Sequence, residues 1–278
     1  MVMMVYVLSK KDKYIKIIVT CIVVSLSIQV ILALLGIQRQ IINSSRGVIF
    51  FNNPNQLGYY SLSMLTIITI LLQKIQLKKL TIFIIIGLSA YLVLFSGSRA
   101  ALAGILLLGG INMYQLGFKL NFGYLILILT FFICLPFVIN SDFVQKKIDL
   151  IESRNNRNTH SNISEAQIRG YDRIYLNPQY IFLGAGEGKN DRFTSHHELE
   201  IHSAFGTMLF SYGILGLLLL LSIINESIKK NRLLGAVILL PILVYNITHN
   251  GLRNSLLWGI LGAMSVVLLN KEKNDKKN

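Results

Sequence analysis

Residues 17–37 read IIVTCIVVSLSIQVILALLGI, a run without a single Asp, Glu, Lys or Arg. At about 1.5 Å of rise per residue such a run makes a helix of roughly 30 Å, which is the thickness of a bilayer's hydrocarbon core. Further runs of the same character are Leu57 to Gln73, Leu80 to Phe95, Ala100 to Phe118, Leu120 to Ile139, Ser203 to Ile224, Leu233 to Thr248 and Asn254 to Leu269. The chain of 278 residues is 53% hydrophobic and 14% charged, an apolar share above that of soluble domains. These features predict an all-α, polytopic membrane protein of about eight transmembrane helices, with one long extracytoplasmic loop between helices five and six. The division is 1–140 for the first five helices, 141–202 for the loop, and 203–278 for the last three helices and a basic tail.

Charge sets the expected topology, because basic residues in short loops resist translocation and stay cytoplasmic. Lys10, Lys11, Lys13 and Lys16 precede the first run, Lys74, Lys78 and Lys79 separate the second and third, and Lys119 follows the fourth. Lys229, Lys230 and Arg232 follow the sixth run, and Lys271, Lys273, Lys276 and Lys277 lie in the tail. With eight crossings all of these fall on one side, so both termini are expected in the cytoplasm. Met1 to Leu8 precede the first basic cluster, the reverse of a cleavable signal peptide. Cys21 and Cys134 each fall in an apolar run and support neither a disulfide framework nor a zinc motif.

Arginine divides differently from lysine. Of the ten arginines only Arg232 falls on the cytoplasmic side. Arg39, Arg46, Arg99 and Arg253 lie at outer helix ends or in short outer loops, and Arg154, Arg157, Arg169, Arg173 and Arg192 lie in the long loop. A guanidinium grips phosphate with two parallel donors, whereas an ammonium acts as a point charge. An arginine-rich outer face therefore points to an anionic ligand and to the bilayer as partners, with nucleic acid not implied. For Arg39 and Arg46, contact with lipid head groups is the competing reading.

From Ser141 to Ile201 eight basic and nine acidic residues exclude a place in hydrocarbon. Ser141 is expected to cap an amphipathic helix to about Ser153, lying on the membrane surface. Ser164 and Gln167 have capping-box spacing and predict a second helix that carries Arg169 and Arg173 one turn apart on one face and ends at Pro178. Gly184, Gly186 and Gly188 follow. Close glycines let backbone amides approach an anion, although a plain turn is the simpler reading of three glycines without Rossmann or P-loop spacing.

None of the eight runs contains Asp, Glu or Lys, which argues against an ion-coupled transporter. Polar groups gather instead on the outer side. Arg99 stands in Ser96-Gly97-Ser98-Arg99-Ala100-Ala101, where small neighbours leave it open to a ligand. Asn52, Asn53 and Asn55 surround Pro54, although Asn53 before Pro54 is also an ordinary helix start. His196, His197 and His202 precede the sixth run, and His249 and Arg253 separate the last two. His196, His197 and Glu200 offer a metal site, ranked below a metal-free one because neither HxxEH nor HExxH occurs.

Four blocks in this order resemble the O-antigen ligases and Wzy-type polysaccharide polymerases, which are bacterial membrane glycosyltransferases. Gly47 to Tyr60, GVIFFNNPNQLGYY, is similar to the family's asparagine-rich approach to a helix, and Phe95 to Gly104, FSGSRAALAG, to its Ser-Arg-Gly/Ala block. Arg169 to Gly188, RGYDRIYLNPQYIFLGAGEG, resembles its arginine, proline and spaced glycines. Ile201 to Gly216, IHSAFGTMLFSYGILG, resembles its histidine followed by a Gly-aliphatic-aliphatic-Gly step, with Ser203 where asparagine is frequent.

The resemblance implies a metal-independent enzyme of the bacterial cytoplasmic (inner) membrane, without cofactor and with its active face outside. The enzyme would polymerise or ligate undecaprenyl-pyrophosphate-linked oligosaccharide units for capsule, exopolysaccharide or O-antigen. Arg99 and Arg169 are implied to grip the pyrophosphate, and His202 to position or deprotonate the acceptor hydroxyl. Arg173, Asn53, Asn55, His197 and Arg253 complete the expected substrate-binding set. A flippase and a chain-length regulator are the implied protein partners. Family members have about ten to twelve spanning helices, so the resemblance implies a chain short on its N-terminal side. A ligase of the same family, and a flippase or transporter of lipid-linked sugars, are the alternatives.

Overall fold

In this computed structural model the described residues are 12–39, 46–117, 164–193, 195, 196 and 199–275. They are helical, with no strand among them: α1 (Asp12–Leu34), α2 (Pro54–Leu71), α3 (Lys79–Ser96), α4 (Arg99–Gln115), two short helices α5 (Glu165–Ile168) and α6 (Asp172–Leu176), then α7 (Ala204–Ile228), α8 (Arg232–Thr248) and α9 (Ser255–Asp275). The expected helical runs appear within a few residues of their ends, except Leu120 to Ile139, which lies outside the described residues together with the surface helix expected from Ser141. Stretches of α1, α3 and α7 are long and apolar enough to cross a membrane, and α8 and the Ser255–Val267 part of α9 are apolar but shorter. Apolar side chains such as Val24, Ile31, Leu215 and Leu219 stand exposed on α1 and α7. Water would penalise such stripes, so they mark this as a membrane-associated helical protein.

The centre of the bundle is α2, which packs on α3, α4, α8 and α9 and, at fewer points, on α1. α7 lies outside it against α8 and α9. In a lipid setting close packing substitutes for the hydrophobic drive between helices, and small residues permit it. A Cβ at Gly104 of α4 would stand 2.7 Å from Leu62 Cδ1 of α2 and 3.3 Å from Pro241 Cβ of α8. The threonines inside α2 are satisfied within the bundle. The hydroxyls of Thr66 and Thr69 donate to the carbonyls of Leu62 and Leu65, both at 2.8 Å, and the Asn112 amide of α4 donates to Thr69 Oγ1 at 2.9 Å.

The helices run between two ends. Lys74, Lys78, Lys79, Lys229, Lys230 and Arg232 occupy the turns of one end. The opposite end collects the starts of α2, α4, α7 and α9 and the finishes of α1, α3 and α8. α4 finishes at the lysine end, whereas the described chain resumes at Ser164 beside the opposite end, where Tyr171 Oη donates to the Ile247 carbonyl of α8 at 2.6 Å.

Two local breaks shape that end. Ser164 and Gln167 form the expected capping box, with the Ser164 amide donating to Gln167 Oε1 at 2.9 Å and the Gln167 amide to Ser164 Oγ at 3.3 Å. The single helix expected from it does not form, because Gly170 adopts φ +75° and separates α5 from α6. Arg169 and Arg173 consequently leave the helix in different directions rather than sharing a face. The second break is inside α7, where Gly213 has φ 70° and ψ −173°. The loop repairs it: the amides of Ala185 and Gly186 donate to the carbonyls of Phe210 (2.8 Å) and Ser211 (2.9 Å), and the Ile214 amide donates to the Ile181 carbonyl (2.8 Å). Backbone groups freed in a membrane helix require such partners. The glycine run is thus a clip into a helix break, and the amides of residues 184–186 are already donated within the chain.

Candidate functional site

The site lies at the end opposite the lysines, and it begins with the way α2 and α8 hold each other there. Asn53 caps α2, its side chain accepting from the Gln56 amide at 2.9 Å, with Pro54 at the first helical position. Asn55, the second residue of α2, accepts the Arg46 guanidinium at 2.8 Å through its side chain and the Tyr245 hydroxyl at 2.7 Å through its carbonyl. Arg46 also donates to the Ser96 carbonyl at 2.8 Å, which ties the chain ahead of α2 to the finish of α3. Arg39 reaches Asn52 Oδ1 at 3.2 Å. Arg99 stands exposed as the first residue of α4, two positions beyond the left-handed turn at Gly97.

Onto this framework the loop brings Arg169. Its guanidinium donates to the Thr248 carbonyl at 2.6 Å, and its own carbonyl accepts the His202 amide at 2.9 Å. His202 is exposed, immediately ahead of Ser203, whose hydroxyl caps α7 by accepting from the Gly206 amide at 3.1 Å. The Thr248 carbonyl belongs to the peptide bond that leads into His249, so Arg169 and His249 meet across one peptide. The His249 ring stacks on Tyr245 with centroids 4.3 Å apart and planes 20° apart. Burial, then the electrostatic influence of Arg169, His202 and Arg46, pushes the His249 imidazole down to about 4.

The structure therefore gathers Arg46, Asn55, Arg169, His202, Tyr245 and His249, with Arg99 at the adjoining helix start. Arg173 and Arg253 are placed differently. Arg173 is 1% exposed, donates to the Leu199 carbonyl at 2.6 Å and to Ser195 Oγ at 3.1 Å, and lies over the Phe210 ring. Desolvation lowers its pKa while neighbouring Asp172 opposes the fall. Asp172, also buried, accepts the His196 amide at 2.6 Å. These two residues fold the loop back over α7 rather than facing Arg169. Arg253 pairs with Glu200 at 3.0 Å and Glu187 at 3.9 Å, joining the α8–α9 turn to the loop. His197 lies outside the described residues. Among the described residues no group of three His, Cys, Asp or Glu side chains could hold a metal ion.

No protein-family model matches the chain, and no curated protein matches it in sequence. Sequence reasoning counted Arg46 among the outer arginines, with lipid head-group contact as the competing reading, and noted His249 without giving it a role. What brings both to Arg169 is the antiparallel return of α8 beside α2, whose signal in the sequence is the spacing of Tyr245 and His249 by one helical turn.

Proposed function

We propose that this protein is a membrane glycosyltransferase that polymerises polyprenyl-pyrophosphate-linked oligosaccharide units on the outer face of a bacterial cytoplasmic membrane. The observation that carries the reading is the gathering of Arg46, Arg169, His202 and His249 at one end of the bundle, with Arg99 beside them and the lysine turns at the other end. Both termini are cytoplasmic in this reading, eight helices cross, and the long loop covers the outer site. The sequence resemblance to O-antigen ligases and Wzy-type polymerases supports the same assignment.

The chemistry needs little beyond positioning and charge. An acceptor hydroxyl attacks the anomeric carbon, the bond from that carbon to the diphosphate oxygen breaks, and the electron pair leaves with the diphosphate. Guanidinium groups of Arg99 and Arg169 stabilise the charge that develops there. An imidazole assists by taking the hydroxyl proton.

The test is genetic and structural at once. Deleting the gene should abolish high-molecular-mass surface polymer while single repeat units are still displayed outside, as read by gel electrophoresis and surface labelling. Arg99→Lys and Arg169→Lys keep the charge but lose the two-pronged grip, and each should lower polymer at least tenfold at equal protein level. Wild-type polymer in both variants, or repeat units trapped inside the deletion strain, would overturn the proposal; the second result would identify a transporter.

A further inference from the structure

The two histidines of the site differ in how their rings are held. His202 is exposed, whereas His249 is half-buried, stacked on Tyr245 and bonded at Nδ1 to Thr248 Oγ1. The Thr248 hydroxyl donates its one proton to the Tyr245 carbonyl at 3.1 Å. In that arrangement its oxygen accepts from His249 Nδ1, 2.9 Å away, which favours the tautomer with the proton on Nδ1. The lone pair of Nε2 is thereby set as an acceptor, and among the described residues no hydrogen bond engages it. Tyr245, stacked on the ring, is itself held through its hydroxyl to the Asn55 carbonyl, so the face on which the imidazole rests is tied to α2.

We propose that His249 is the hydrogen-bond acceptor for the attacking sugar hydroxyl, and that it becomes a proton acceptor only when a diphosphate occupies the neighbouring arginines. This rests on the reading of the site given above. The groups that bear on His249 are Arg169 from the loop, Arg46 from the approach to α2, His202 ahead of α7 and Tyr245 on its own helix. In the free protein burial first, and then these three neighbours, keep the ring neutral and weakly basic. A bound diphosphate cancels the arginine charges and adds its own negative charge close by, so the imidazole's proton affinity rises. The acceptor hydroxyl then transfers its proton to Nε2 as its oxygen bonds to the anomeric carbon and the sugar–diphosphate bond breaks. Departure of the polyprenyl diphosphate restores the positive surroundings and expels the proton to water, which resets the ring. Base strength is thus linked to donor occupancy.

The experiment uses the full chain in lipid nanodiscs with ¹³C-labelled histidine. The sequence has 5 histidines, and the His249 resonance is assigned by its loss in His249→Gln or, should that variant fail to fold, His249→Phe. In the free protein His249 should remain neutral with its proton on Nδ1 down to about pH 5. Saturating undecaprenyl pyrophosphate should raise its midpoint by at least one pH unit, a tenfold gain in proton affinity. An ordinary midpoint between about 6 and 7 in the free protein, a proton on Nε2, or an unmoved midpoint with the lipid bound would overturn the inference alone. Failure of radiolabelled undecaprenyl pyrophosphate to bind would overturn the diphosphate site itself, and the linkage with it.

Discussion

α2 and α7 obey opposite rules. α2 carries two serines, two threonines and two tyrosines along 18 residues, yet Leu62, Leu65, Ile68, Ser61, Ser63 and Thr66 are all completely buried. α7 contains an unbroken run of five leucines, and Leu218 and Leu219 of that run are more than half exposed. In water the more apolar helix would take the centre. Lipid removes that preference, because a leucine gains nothing by leaving a hydrocarbon environment for a protein interior. Hydropathy then marks the outside, while small size, with threonine hydroxyls returned to their own helix, marks the inside. The two helices also store their specificity differently: α2 in side chains that let neighbours approach, α7 in a backbone break that only one segment of the loop can fill.

The largest effect should come from breaking the backbone device. A Cβ at Gly213 would fall 2.2 Å from the Phe182 carbonyl oxygen, and the residue's φ of 70° already disfavours any other side chain. Gly213→Val should push the loop out of the break and leave the Phe210 and Ser211 carbonyls without donors, at a cost above about 4 kcal/mol. Folded protein recovered after detergent extraction, read by size-exclusion chromatography, should fall to a small fraction of wild type. A variant that elutes and melts like wild type would show that the loop does not depend on the clip.

The side-chain device should give a smaller and better-controlled response. Gly104→Leu places its Cβ 2.7 Å from Leu62, so α4 has to move away from α2, and overpacking of this kind costs about 1–3 kcal/mol. Gly110→Leu in the same helix meets nothing within 4 Å and should leave the melting temperature within about 2 °C of wild type. Equal melting temperatures for the two variants would remove α2 from the centre of the packing.

How much of this could be read beforehand follows from the same contrast. The long helices were legible because the apolar runs are bounded by charge or by capping residues such as Asn53 with Pro54. Among the described residues, the turns with Lys74, Lys78, Lys79, Lys229 and Lys230 lie at the end opposite Arg46, Arg99 and Arg253, an arrangement that follows from the order of the helices. The order of burial was not legible, because hydropathy ranks α7 above α2 whichever lies inside. Nor was the parting of Arg169 from Arg173: helical spacing puts them together, and only the left-handed conformation of Gly170 sends one to Thr248 and the other into the loop's interior. His249 was seen as a polar residue between two helices. Its partnership with Arg169 requires knowing that α8 returns beside the start of α7, a tertiary fact that no local pattern encodes. Residues 118–163, including the expected surface helix, lie outside the described residues.

The smallest effect compares the same two regions at their ends, where α7 begins after exposed His202 and α8 finishes at half-buried His249. Burial and the electrostatic influence of Arg169, His202 and Arg46 hold the folded His249 at about 4, against about 6.5 in an unfolded chain. Above about pH 6.5 both states are neutral at this position and folding is unaffected. As pH falls from 6.5 toward 4 the unfolded chain takes up a proton that the folded one refuses, so stability is lost across that window. Allowing for partial solvent screening, the loss should be about 1 kcal/mol, a melting temperature lower by roughly 2–4 °C at pH 5 than at pH 7. His249→Phe keeps a ring on Tyr245 and removes the titration, so its melting temperature should fall less over the same interval. A variant whose pH dependence matches that of wild type would mean that His249 carries its ordinary affinity for protons, and that the end of α8 is no more sheltered than the start of α7.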